Sequence, residues 1–518
     1  MKHILVIICS FIVLHSGVAQ EVTPIWSDAI DTKNLSEGLP FDAVGEIDGT
    51  SYFMLSDFKI KKDKHLAITS FDDQMKKINS LNLLQKYPKL SGLKLAEKKC
   101  GNGKVFLGFR DVKNQKQEDA YVLILNKDLT VFKDLKLIKS AVFKKGNTAV
   151  KIASLHVLIN PADLKFPICI VVEGNSSIGK DLTITATQFD INLEEKKTLS
   201  GKAGVAFFSN RTLFSGREKY YDNFYDFHYC EAGVFGYFTS NDFRIKEDEI
   251  PFLLFNFNTS KFYSKNILFG NGGKRGLKVK IHDNTFKLFY AVQEEPYTTT
   301  QSIVGVGVLI LGDKLEIIKD EVSVFSADQI KKAYGAERYK FEVEKGKRKL
   351  RTLRTIYSAT TLNANLKIEH IYSSDKGDFV TLSFNRYIAG KDEWTTKGVL
   401  VVKFGINQKV AWLRGIYSEL EGYLEDSKLT IKNNQLILAY NSNVDLKNEP
   451  IDKKTRGASF LLTTFDLNSG EVGKNSIFTV KPNTVSKQGR SLFEVDGNIY
   501  FFSTPKGKKK PSFIAVIK

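Results

Sequence analysis

The chain has 518 residues, of which 42% are hydrophobic, and its 76 Lys and Arg outnumber 58 Asp and Glu to give a formal net charge of +18. Four cysteines scattered through so long a chain exclude a disulfide framework and show no metal-ligand spacing. No stretch beyond the amino terminus approaches the roughly 20 apolar residues of a transmembrane helix, while the length leaves open one large all-β domain or several smaller ones.

The first 19 residues read as a secretory signal peptide: Lys2 is the basic start, Ile4 to Val13 the apolar run, and Gly17-Val18-Ala19 the small residues a signal peptidase requires. The product is expected to be exported, periplasmic or extracellular, with Gln20 as its first mature residue. Cys9 leaves with the leader, so Cys100, Cys169 and Cys230 remain. For such a protein the excess cations point to envelope polysaccharide, lipid head groups or acidic protein, and away from nucleic acid. The simpler reading is that lysines keep exposed strand faces soluble and blunt their edges. Next comes TPIWSDAI (residues 23–30), a fragment that elsewhere in the chain ends a repeating unit.

From residue 45 that unit is legible. GEIDGTSYFMLS (45–56) and FEVDGNIYFFST (493–504) share Asp-Gly followed by an aromatic pair. Asp-Gly between alternating apolar runs predicts a tight hairpin, because both central residues of the favoured turn need positive φ. Gly101-Asn102-Gly103, Asp283-Asn284 and Asn433-Asn434 mark the same turn in other copies. Strongly apolar strands begin near residues 51, 104, 167, 233, 286, 378, 435 and 498, and each is followed by a second, near 65, 120, 182, 251, 304, 398, 459 and 512. A third, less apolar strand follows near 75, 130, 194, 261, 315, 409 and 470. The copy around residues 150–200 is the least regular, which leaves seven as the alternative count.

Between the fifth and sixth copies lies an insertion, residues 326–354, which opens with Ser326 as a helix cap. It runs into a basic cluster of Lys345, Lys347, Arg348, Lys349 and Arg351, suited to an anionic surface or simply solvated. The eighth copy ends at Lys518 after its second strand, and TPIWSDAI supplies the missing one, with Trp26 matching Trp412 and Ile30 matching Ile416.

The pattern resembles the bladed β-propellers, in which each blade is a four-stranded antiparallel meander. The resemblance implies an all-β fold: one propeller domain over residues 20–518, of about eight blades or alternatively seven, closed when the N-terminal strand completes the last blade. It is a likeness of pattern, without the signature of a named propeller family. No Gly-His with Trp-Asp recurs as in WD-repeats, and Gly272-Gly273 is the one double glycine where kelch blades repeat it.

Propellers gather ligands at the central channel or on the face formed by loops entering and leaving the innermost strands, so polar residues there are the candidates. Four histidines, His156, His228, His282 and His370, fall on the proposed innermost strands of consecutive copies; His65 lies elsewhere. Imidazoles ringed around an axis suit a ligand site or general base, and equally suit satisfied polar contacts between blades. No metal and no cofactor is expected. In REKYYDNFYDFHYCEAGVFGYF (217–238) strand alternation puts Asp222, Asp226 and His228 on one face and Tyr225 on the other. Carboxylates beside aromatic rings suit a sugar, although the rings also fit the wedge between blades. Trp394, after Asp392-Glu393, is the other contact candidate.

No serine elbow, P-loop, HExxH or Rossmann glycine pattern is present. The expected function is a non-catalytic binding or scaffold protein of the bacterial envelope, probing a glycan, peptide or protein with one propeller face and acting as a monomer. The alternative is a polysaccharide hydrolase with acidic and histidine residues in the channel.

Overall fold

The backbone follows the turn chemistry. Asp48-Gly49, Asn102-Gly103 and Asn433-Asn434 all take positive φ, between 49° and 70°, and each joins a first strand to a second. A different turn joins third strands to fourth. There Met75, Leu129, Leu193 and Leu315 hold φ of 59° to 67°, and all four are buried. A left-handed backbone costs a non-glycine residue about 1–2 kcal/mol. Burying a large apolar side chain contributes roughly 1.5–3 kcal/mol and outweighs it. In the Leu193 copy, Asp190 Oδ1 accepts from Asn192 N at 2.8 Å and Glu194 N at 3.0 Å, holding the turn ready.

A computed structural model describes residues 24–27, 42–60, 63–113, 117–142, 154–174, 182–203, 223–240, 249–268, 274–282, 285–293, 302–326, 328–329, 362–363, 365–388, 393–417, 427–442, 459–478, 484–485, 492–495, 497–505 and 513–517. Eight antiparallel meanders form a ring. Blades 1 to 7 span residues 42–82, 94–142, 154–203, 223–268, 274–324, 365–417 and 428–478. Blade 8 is Leu492–Val495, Asn498–Pro505 and Phe513–Ile517, with Ile25–Trp26 as its outermost strand. The count is therefore eight. The copy that looked least regular, blade 3, is a complete meander of Ser154–Ile159, Ile168–Glu173, Leu182–Phe189 and Glu195–Ala203.

Ring closure is as the sequence suggested. Ile25 pairs with Val516 and Trp26 with Ala515, and Ser27 N donates to Ile514 O at 2.8 Å. Phe513–Ile517 is buried throughout. Ile514 and Val516 pack with Tyr52, Met54 and Phe71 of blade 1, while Ala515 and Ile517 pack with Ile437 and Leu462 of blade 7. Eight apolar clusters occupy the eight interfaces between neighbouring blades, so the core is a ring of wedges.

The outer strands carry a second set of ties. Lys136 of blade 2 donates to Leu193 O in the turn of blade 3 at 3.2 Å, Lys197 of blade 3 to Phe257 O of blade 4, and Lys319 of blade 5 to Asn407 O of blade 6. Trp412 Nε1 and Lys403 Nζ of blade 6 both reach Leu467 O of blade 7, at 3.2 and 2.6 Å. Part of the lysine excess therefore latches blade 2 to 3, 3 to 4, 5 to 6 and 6 to 7. Ser326 and Gln329 form the reciprocal cap expected at the head of the insertion, at 3.2 and 2.9 Å. Residues 330–354 of that insertion, including Lys345 to Arg351, lie outside the described residues, as do residues 1–23 and Ile30.

Candidate functional site

The first strands of blades 2 to 5 wall a polar sector of the central channel. Two cavities of about 450 and 460 Å³ open there and share Glu97, Leu158, Asp226 and Phe227. Strand alternation sorts the residues of blade 4 as expected. Tyr225 and Phe227 are buried against blade 3, whereas Asp226 is exposed and His228 half-buried on the opposite face. Tyr237 donates its hydroxyl to Asp226 Oδ2 at 2.8 Å, and His228 Nε2 lies 3.5 Å from the same oxygen. The His228 ring lies parallel to Tyr237, with centroids 5.9 Å apart and 7° between planes. Glu97 of blade 2 faces the same space. Burial pushes its carboxyl above the usual range, partly offset by the charges of Lys99, Lys98 and His228.

Two buried carboxylates, one on the third strand of blade 2 and one on the second strand of blade 3, hold this wall together. Glu118 of blade 2 accepts from Leu155 N of blade 3 at 3.0 Å and from Arg110 Nη2 at 2.7 Å. Glu173 of blade 3, 0% exposed, accepts from Tyr225 N of blade 4 at 3.4 Å and lies 3.1 Å from His156 Nε2. Each carboxylate thus stands under a first-strand N–H of the following blade with a cationic or imidazole partner beside it. Paired in this way, their burial is tolerable. His156 also meets Phe227 edge-on at 4.9 Å.

The sequence candidates are brought together in part. His156, Tyr225, Asp226 and His228 converge on the two cavities. His370 belongs to blade 6 and lies 3.8 Å from Glu494 Oε2 of blade 8. The three described candidate imidazoles, His156, His228 and His370, therefore sit beside three different carboxylates, and no group of three metal-ligating side chains occurs among the described residues. His282 ends the first strand of blade 5, paired with Thr285, and Trp394 pairs with Tyr387 at the far end of a blade 6 hairpin; both side chains lie outside the described residues. Asp222 lies outside them altogether. Glu97, Arg110, Glu118 and Glu173 escaped the sequence reading. The available signal was an acidic residue set directly against an apolar run, as in QEDAYVLIL and ICIVVE.

No family model matches the chain, and no curated protein matches it in sequence. Among solved structures it is similar to the WD40 domain of SCAP from fission yeast, at 9% identity over 96% of this chain and 97% of that one, with a TM-score of 0.44. It is also similar to polysaccharide lyase Uly1, at 11% identity over 95% and 99% with a TM-score of 0.41. The β-propeller domain of the Trilobed protease from Pyrococcus furiosus follows at 10% identity over 82% and 93%, with a TM-score of 0.35.

Proposed function

We propose that the protein is an exported, non-catalytic binding propeller of the bacterial envelope that takes a polar chain, a glycan in the first instance, into the blade 2–5 sector of its channel. The leader-like Met1 to Ala19 supports export. One observation carries the binding reading: the cavities combine an open carboxylate, Asp226, and a half-buried imidazole, His228, with a wall whose buried carboxylates, Glu118 and Glu173, already have partners inside the protein. Such a wall is preorganised and offers acceptors to hydroxyl or amide donors. The test is retention on glycan and peptide arrays of the purified protein beside Asp226→Asn and His228→Ala, with circular dichroism to confirm folding. The wild type should retain a ligand that both variants lose. Retention indifferent to both changes, or no retention at all, would overturn the reading.

A hydrolase acting on polysaccharide is the second reading, favoured by a single feature. Glu97, held toward its protonated form, and the more open Asp226 face one cavity, a division of roles that acid-base catalysis uses. New reducing ends from an array-positive glycan, abolished in Glu97→Gln, would establish it.

A further inference from the structure

The binding reading leaves the chemistry of the ligand open, and two cations of the sector, Lys94 and Lys280, narrow it. Lys94 and Lys280 are exposed and line the first and second cavity respectively; among the described residues neither has a carboxylate at ion-pair distance. Their heights follow from strand register. Lys94 opens the first strand of blade 2, seven residues before its end at Gly101, while Lys280 stands two residues before the end of blade 5's first strand at His282. Glu97 and Asp226 each stand four residues before the ends of their strands, at Gly101 and Cys230. All these strands end at the same mouth of the channel, because every blade has the same meander. A bulge between Leu95 and Glu97 takes up one residue, so Lys94 stands four ladder steps beyond Lys280; at roughly 3.3 Å per step the two lysines are about 13 Å apart along the axis, with the carboxylates between them. The sector thus reads cation, paired acceptors, cation.

We propose that this sector takes a linear anionic oligosaccharide threaded along the axis, with acidic groups on Lys94 and Lys280 and neutral, hydroxyl-bearing sugars against Glu97 and Asp226. Resting on the binding reading, this assigns the ligand class. A neutral glycan would leave both lysines unmatched. An acidic peptide repeats its carboxylates about 7 Å apart on one face of an extended chain and would press them onto Glu97 and Asp226. A chain in which acidic sugars are spaced by neutral ones meets both demands, and the long-range field of a +18 protein attracts it.

Calorimetric titration of the full protein with three probes tests this: a hexasaccharide alternating uronic acid and neutral sugar, neutral maltohexaose, and hexaglutamate. The alternating hexasaccharide should bind best and weaken as salt rises. Lys94→Gln and Lys280→Gln should each lower its affinity roughly tenfold, the scale of one charge-assisted contact, and the double variant should lose most of the salt dependence. Both positions are exposed, so the variants should fold as the wild type does. Equal binding of maltohexaose with no loss in the double variant would overturn the ligand class while leaving the binding site intact. Preference for hexaglutamate would overturn it too, in favour of a peptide partner. Failure of all three probes to bind would count against the channel as a binding site.

Discussion

The two halves of the channel wall use polar residues in opposite ways. From blade 2 to blade 5 the buried carboxylates Glu118 and Glu173 are drawn back between blades, and the space before them stays open. Where blades 7, 8 and 1 meet, polar side chains bond across the blades. Asn498 of blade 8 donates to Glu46 of blade 1 at 2.7 Å and accepts from Lys432 of blade 7 at 3.0 Å. Glu494 of blade 8 takes Gly497 N at 2.8 Å and faces His370 of blade 6. This second half contains the seam where the two ends of the chain meet, and a ring held shut there by one two-residue strand needs extra ties. The comparison teaches that an innermost strand can spend its polar groups on closing the ring or on facing a ligand, and that this propeller assigns the two tasks to different blades.

The largest effect should come from breaking a staple of the open half. Glu173→Ala leaves the Tyr225 N–H and His156 without their acceptor, and should cost about 3 kcal/mol in urea unfolding while also abolishing ligand retention. Glu173→Gln keeps an acceptor and should recover at least half of that loss. In the closed half, Asn498→Ala should cost about 2 kcal/mol by stranding Glu46 and Lys432, with ligand affinity unchanged. A fall in affinity in this variant would erase the division between the halves. A smaller effect, of opposite sign, is expected at Glu97. Its raised folded-state value means that, as pH climbs through the ordinary 4.5, the unfolded chain releases this proton first and folding is weakened from there upward. Glu97→Gln should therefore be more stable than the wild type at pH 7, with the gain vanishing below about pH 4.

How far the sequence reaches differs by level. Ring, blade order and closure were legible because Asp-Gly and Asn-Asn turns demand positive φ and because TPIWSDAI copies KVAWLRGI. The placing of His156, His228 and His370 on first strands was legible for the same reason. Their partners were not. Glu173 meets His156 within blade 3, yet its other contact is Tyr225, 52 residues away on the next blade. Such a pairing depends on how two sheets face each other, which no periodicity along one strand records. The turn after Phe189 was signalled by Asp190, but the positive φ of Leu193 was not: its burial in the wedge between blades is what holds that conformation.

The smallest expected effect addresses the lysines, read first as a solvated face. Lys136 latches blade 2 to blade 3 in the open half, and Lys319 latches blade 5 to blade 6 at its border with the closed half. Both sit on outer strands and end on a turn carbonyl, so their surroundings are alike although the channel inside them is not. Replacing either with Met keeps most of the apolar stem and removes the donor. A part-exposed contact of this kind is worth about 0.5 kcal/mol. Lys136→Met and Lys319→Met should thus cost the same in urea unfolding, and neither should alter ligand affinity. Unequal costs would mean that the difference between the halves extends through the blades to the rim, and would locate the specialisation in whole blades instead of in their innermost strands.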